Sequence, residues 1–253
     1  MILLQTFSLG VKEMNHTTIN NSCLKSKQLP KLDLIVQSGI IELDSLIGGL
    51  KAGEITYIDG NSQCIYNIPN QLCVHTYQTF KSDTIYIDGG ICADPYKIAK
   101  YARSIEVDQH NVLDHVKISR AFTVYQLSTF IQDVLEEEIK KYNPRTIIIG
   151  RFPSLYLDPD VPEKESQVLL QNNLSKLHEL TATYNLITVL TNKGNRRYNT
   201  KWRTTIQSMV HETIQMKYIQ PCTYVDLLKR KDSTTILDMA QGQLRLDHFG
   251  VVS

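Results

Sequence analysis

Short apolar runs recur along the chain, and polar stretches of helical period fill the intervals between them. "EITYID" (54–59), "DTIYID" (83–88), "VKIS" (116–119), "TIIIG" (146–150) and "LITVLT" (186–191) are rich in Ile, Val, Tyr and Thr. Most are nearly continuously apolar, as strands covered on both faces should be. Residues 124–142 place Leu127, Ile131, Val134 and Leu135 on one helical stripe, with Glu136–Lys140 and Glu137–Lys141 outside it. Residues 166–185 place Leu170, Leu174 and Leu177 at i, i+4 and i+7. A third helix over 94–105 starts on Asp94, with Pro95 in its first turn. This alternation predicts an α/β fold with helices on both faces of the sheet. Beyond residue 208 the period shortens. "ETIQMKYI" (212–219), "TTILDM" (234–239) and "QLRLDHFGVV" (243–252) read as antiparallel strands extending one edge.

Residues 1–36 lack this regularity and hold too few apolar positions for a core, so they are expected to form an N-terminal arm or linker ahead of one core domain, 37–253. The chain has 253 residues, 42% hydrophobic and 21% charged, enough for a sizeable core. Its formal net charge is only +1, so attraction to a polyanion must come from a local patch. Five scattered cysteines, with no CxxC pair, read as reduced thiols. The N-terminal "MILLQTFSLG" lacks a basic flank and a cleavage site, and no apolar run approaches the roughly 20 residues that span a bilayer. The expected location is the cytoplasm.

The ordered segments carry a resemblance. "SGIIELDSLIGGLKAGEITYIDG" (38–60) resembles the opening of the RecA/RadA recombinase core, which leads into the Walker A phosphate loop. "TIYIDGGICADPYKIAKYARSIEVDQHNVLDHVKISRAF" (84–122) is similar to the archaeal RadA stretch after the second core strand, and "YNLITVLTNKG" (184–194) to the segment preceding the second DNA-binding loop. The resemblance covers about residues 37–250. It implies a RecA-like core, a mostly parallel twisted sheet with helices on both faces and antiparallel strands at the C-terminal edge.

The chemistry of that core is missing at the matching positions. A phosphate loop needs GxxxxGK[ST]: glycines for backbone wrapping, a lysine on the β/γ-phosphates and a hydroxyl on Mg²⁺. Counting from Gly60, the second glycine falls on Ile65, the lysine on Tyr66 and the hydroxyl on Asn67, and no lysine lies between Lys51 and Lys81. Where the resemblance implies a catalytic glutamate after the "YID" strand, Gly89 and Gly90 follow Asp88; where it implies the Walker B aspartate, Gly150 or Arg151 stands. His211 matches a histidine that the family places near a neighbouring subunit's nucleotide, here implied to be a relic. The resemblance therefore implies a pseudo-ATPase, with no catalytic residues, no metal and no cofactor expected; ATP with Mg²⁺ is disfavoured.

The basic stretch "KGNRRYNTKWR" (193–203) remains. Lys193, Arg196, Arg197, Lys201 and Arg203 carry five cations without an acid, interleaved with Tyr198 and the single tryptophan, Trp202. Cations neutralise phosphates and aromatics stack on bases, so these residues are expected to bind single-stranded DNA. The resemblance places them on the family's mobile DNA loop, while the first such loop corresponds to acidic "DPDVPEKESQ" (158–167). With these residues, the resemblance implies a catalytically degenerate, nucleoid-associated paralogue acting in DNA recombination and repair beside a RadA-type recombinase or another paralogue. A KaiC-like protein-interaction module without DNA binding, or an ATPase with a non-standard phosphate loop, are the competing expectations.

Overall fold

The computed structural model describes residues 34–193 and 200–237. In chain order they form β1 (Ile35–Val36), α1 (Ile41–Ile47), β2 (Leu50–Lys51), β3 (Ile55–Gly60), α2 (Cys64–Phe80), β4 (Thr84–Asp88), α3 (Pro95–Ser104) and α4 (Gln109–Asp114). Then come β5 (Val116–Arg120), α5 (Val124–Thr129), α6 (Leu135–Tyr142), β6 (Thr146–Gly150), α7 (Glu163–Tyr184), β7 (Ile187–Lys193), α8 (Thr200–Met209), β8 (Glu212–Ile219), β9 (Cys222–Leu227) and β10 (Asp232–Leu237). The β1–β2 pair stands apart, and the other strands form one eight-stranded sheet in the order β10-β9-β8-β3-β7-β6-β4-β5.

The central strands are buried along nearly their whole length, which explains their continuous apolar composition. Alternate residues feed separate cores. On one face Tyr57, Ile87, Ile147 and Ile149 pack with Leu127, Ile131, Leu170, Leu174 and Leu177. On the other, Ile58, Tyr86, Ile148 and Val189 pack with Leu43, Ile65, Ile68, Leu72 and Ile98. Strands β3 to β8 run parallel within the sheet, and β9 and β10 add antiparallel. Parallel pairing in the registers Gly60↔Lys193, Gly60↔Met216, Asp88↔Arg120 and Asp88↔Gly150 brings these residues to one end of the sheet. Ligand sites of open α/β sheets form at that end.

Local details depart from the sequence expectations for identifiable reasons. The boundary placed after residue 36 leaves β1 in the arm, although Val36 is fully buried in the core and pairs with Leu50; residues 1–33 lie outside the described residues. The helix expected over 124–142 is interrupted by a π-turn at Phe130–Val134. That wider turn moves Val134 off the apolar stripe, leaving it 37% exposed, while Ile139 joins the core. Glu136 does more than face solvent, because it accepts hydrogen bonds from Lys176 and Tyr184 and so ties α6 to α7. Asp94 caps α3 as its position predicts, accepting from the Tyr96 and Lys97 amides. The C-terminal region contains a strand that sequence reading passed over, β9, although Thr223, Val225 and Leu227 alternate inward with period two. Strand β8 is itself parallel to β3, so the antiparallel addition begins only at β9. The piece expected over 243–252 lies outside the described residues. Among the described residues no helix is long and apolar enough to cross a membrane.

Candidate functional site at the carboxyl end of the parallel strands

The chain leaves β3 through Gly60, whose φ of +148° suits glycine, and a Cβ there would lie 1.8 Å from the Met216 carbonyl oxygen. Gly60 is thus required by the close approach of β8. The turn that follows is bonded to the protein itself. The Asn61 amide donates to the Met216 carbonyl (3.0 Å), and Asn61 Oδ1 accepts from the Tyr218 amide (2.7 Å). Buried Ser62 shares a hydrogen bond with Thr223 Oγ1 (2.8 Å) and accepts from the Cys64 amide (3.2 Å). The Tyr66 amide donates to the Gln63 carbonyl (3.0 Å). Ile65 is 2% exposed within the core. Asn67 turns outward and lines a separate surface cleft with Gln71, Lys97 and Lys100.

Lys193 closes over this turn. Its ammonium lies 4.3 Å from the centroid of the Tyr66 ring and donates to Gln63 Oε1 (2.9 Å). Burial, then the nearby Arg151 guanidinium, lowers its pKa. A residue expected at the start of a DNA-binding loop therefore sits at the end of β7 against the turn that follows β3.

The neighbouring carboxylates are also internal. Asp59 is 1% exposed, accepts from Asn192 Nδ2 (2.8 Å) and forms an ion pair with Arg203 Nε (3.1 Å). Burial raises its pKa, and Arg203 and Asn192 offset only part of that rise. Sequence reading missed Asp59, although an acid ending an otherwise apolar strand is a signal for a buried partner. Asp88, fully buried, accepts from the Gly90, Cys92 and Ala93 amides and pairs with Arg120 at 3.3 Å. It folds residues 89–93 around itself. Gly90 and Gly150 leave room for side chains on either side: a Cβ on Gly90 would meet Arg151 Cδ at 2.3 Å, and one on Gly150 would meet the Tyr86 ring at 3.1 Å.

The basic stretch does not form one exposed surface. Arg196, Arg197 and Tyr198 lie outside the described residues, as does the side chain of Lys201. Residues 200–203 belong to α8, a helix where a loop was expected. Trp202 is 5% exposed and packs with Ile206 and Val210 in the core, which overturns the expectation that it offers a stacking face. The helical i, i+4 spacing of Trp202 and Ile206 explains why it turns inward. Arg203, expected on phosphate, is engaged by Asp59. The acidic segment 158–167 likewise ends as helix, since α7 begins at Glu163.

His211 is not brought to this end. Its Nδ1 accepts from the Ile55 amide (2.9 Å) at the opposite end of β3, and its ring lies 5.0 Å from that of His178. Burial, then the His178 ring, lowers its pKa, in keeping with a neutral imidazole that accepts through Nδ1. Comparison with protein-family models matches residues 31–212 to the one described as Rad51.

Proposed function

The chain belongs to the Rad51 family, and we propose that it is a nucleotide-independent accessory member, binding DNA in recombination and repair without hydrolysing ATP. The observation that carries this reading is the turn over Gly60–Asn67. Ile65 occupies core, Tyr66 lies under Lys193, and the Asn61, Cys64 and Tyr66 amides donate to protein acceptors. A phosphate loop needs those amides turned to the ligand and a lysine where Tyr66 stands. The residues present do not fit ATP with Mg²⁺. No carboxylate follows Asp88 or ends β6, and Asp88 itself is enclosed by three amides and Arg120.

The DNA-binding part of the proposal is narrower than composition suggests. Lys193, Trp202 and Arg203 hold the ends of the basic stretch to the core, and Arg196, Arg197 and Lys201 meet phosphates while Tyr198 stacks on bases. A core that cannot use nucleotide to switch its own assembly acts beside a subunit that can. Its partner in this proposal is therefore an active RadA-type recombinase or another paralogue, at the nucleoid.

Thermal unfolding with and without ATP–Mg²⁺ tests the nucleotide claim. A ligand of the native state raises the melting temperature by mass action, so no shift and no phosphate release are expected at millimolar ATP. A clear shift with turnover would overturn the proposal.

A further inference from the structure

One cavity at the carboxyl end of the sheet is lined by none of residues 60–67. It measures about 250 Å³ and is bounded by Gly89, Gly90, Ile91, Arg120, Phe122 and Arg151. Its construction is specific. Asp88 accepts from the Gly90, Cys92 and Ala93 amides, and this tight turn holds Ile91 at φ 58°, a rare conformation for a β-branched residue. Ile91 is 77% exposed and Phe122 67% exposed, so two apolar side chains stand at the rim instead of in the core. Gly90 admits the Arg151 side chain, which any Cβ would displace. Arg151 is itself held in the left-handed region (φ 53°), and its buried Nε has no hydrogen-bond partner among the described residues. Arg120 enters from β5, with its side chain 40% exposed beyond its contact with Asp88. Two guanidinium forks, one at the end of β5 and one just after β6, the latter with an unsatisfied buried donor, call for a multi-oxygen anion.

We propose that this cavity binds a phosphate monoester, with Arg151 and Arg120 meeting the phosphate directly and Phe122 and Ile91 flanking the organic group it carries. A phosphate presents three oxygens to two forks, where a carboxylate presents two in one plane. Apolar Ile91 and Phe122 at the rim suit a terminal phosphate carrying one organic group better than a diester backbone running through. The ester is a nucleoside monophosphate, either free or at the end of a strand. The site does not depend on DNA binding by 193–203, and a strand ending in a hydroxyl reports on that stretch separately.

The test uses adenosine 5′-monophosphate in calorimetric titration, and fluorescent oligodeoxythymidylate with a 5′-phosphate or a 5′-hydroxyl. Wild type, Arg151→Gln and Phe122→Ala are compared at matched melting temperature. Arg151→Gln should weaken phosphate-dependent binding about tenfold while leaving the hydroxyl-ended strand unaffected. Phe122→Ala changes an exposed side chain and should weaken the same binding about threefold; it carries the test if Arg151→Gln fails to fold. Saturable monophosphate binding with no preference between strands identifies a free nucleotide. A preference for the phosphorylated strand, with weak competition by the monophosphate, identifies a strand end. The proposal is overturned if neither is seen, or if both variants bind as wild type does.

Discussion

The turn at 60–67 and the basic stretch at 193–203 meet at the same end of the sheet, yet their residues were expected to have opposite fates. The first was expected to have lost a ligand and the second to hold one. In the structure both are fastened to the core. Ser62 bonds to Thr223 and Ile65 is buried, while Trp202 packs beside Ile206 and Arg203 pairs with Asp59. Lys193 links the two regions by lying over Tyr66. Every side chain of the first region is fixed against protein or turned to a separate cleft, whereas in the second the anchors among the described residues are Lys193, Trp202 and Arg203. Within this run of like charges Lys193 and Arg203 hold to the core, and charge alone does not mark them out.

That division is testable, beginning with the largest effect. Trp202→Ala should destabilise the protein by about 3–5 kcal/mol, read from the urea midpoint, because it empties a large core volume. As Trp202 is the chain's single tryptophan, native emission should be blue-shifted and unquenched by added oligonucleotide. Red-shifted emission quenched by DNA would restore Trp202 to the binding surface.

Arg203→Ala should cost about 2–3 kcal/mol, since it strands a buried carboxylate, with the partly exposed position keeping the cost below that of a fully enclosed pair. Asp59→Asn should cost less, because desolvation already outweighs the attraction of Arg203 and raises the pKa of Asp59. The pH dependence follows in sign. A carboxyl whose folded pKa is raised holds its proton more tightly in the native state. Its contribution therefore falls as pH rises from the ordinary value of 3.8 through the raised one. Asp59→Asn should remove that fall, which denaturant unfolding across the acidic range measures.

A smaller effect separates the cations proposed to meet DNA from the anchors. Replacing Arg196, Arg197 and Lys201 by Ala should reduce the salt slope of single-stranded DNA binding by about 0.7 for each phosphate no longer neutralised. Arg203→Ala should leave the slope unchanged; a matching drop would place Arg203 on phosphate. The smallest effect concerns the other end of β3. Burial lowers the pKa of His211 and of His75, so both bind protons more readily when unfolded. Stability should therefore decline as pH falls below the ordinary histidine value, and His211→Gln should lessen that decline in melting curves at pH 7.5 and 5.5.

The strands from 54 to 191 were legible because continuous apolar runs and period-two β-branched residues have few other uses, and Leu170, Leu174 and Leu177 announced their helix by spacing. Val134 was misplaced because a π-turn shifts the stripe without marking the sequence. Strand β9 carries the same period-two signal in Thr223, Val225 and Leu227, and sequence reading passed over it. At the candidate site the substitutions at Ile65, Tyr66 and Arg151 could be read directly. What they touch could not, because their neighbours come from distant strands. The Asp59–Asn192 bond and the Asp88–Arg120 pair are products of the parallel register, which a linear motif does not encode.

The central claim is a Rad51-family core whose basic stretch grips DNA without nucleotide. Its most direct test is the affinity of fluorescent single-stranded DNA for wild type and for the Arg196, Arg197 and Lys201 triple alanine variant, each with and without ATP–Mg²⁺. The account predicts equal wild-type affinity in both conditions and a marked, salt-dependent loss in the variant. Binding that requires nucleotide, or that survives the triple substitution unchanged, would contradict it.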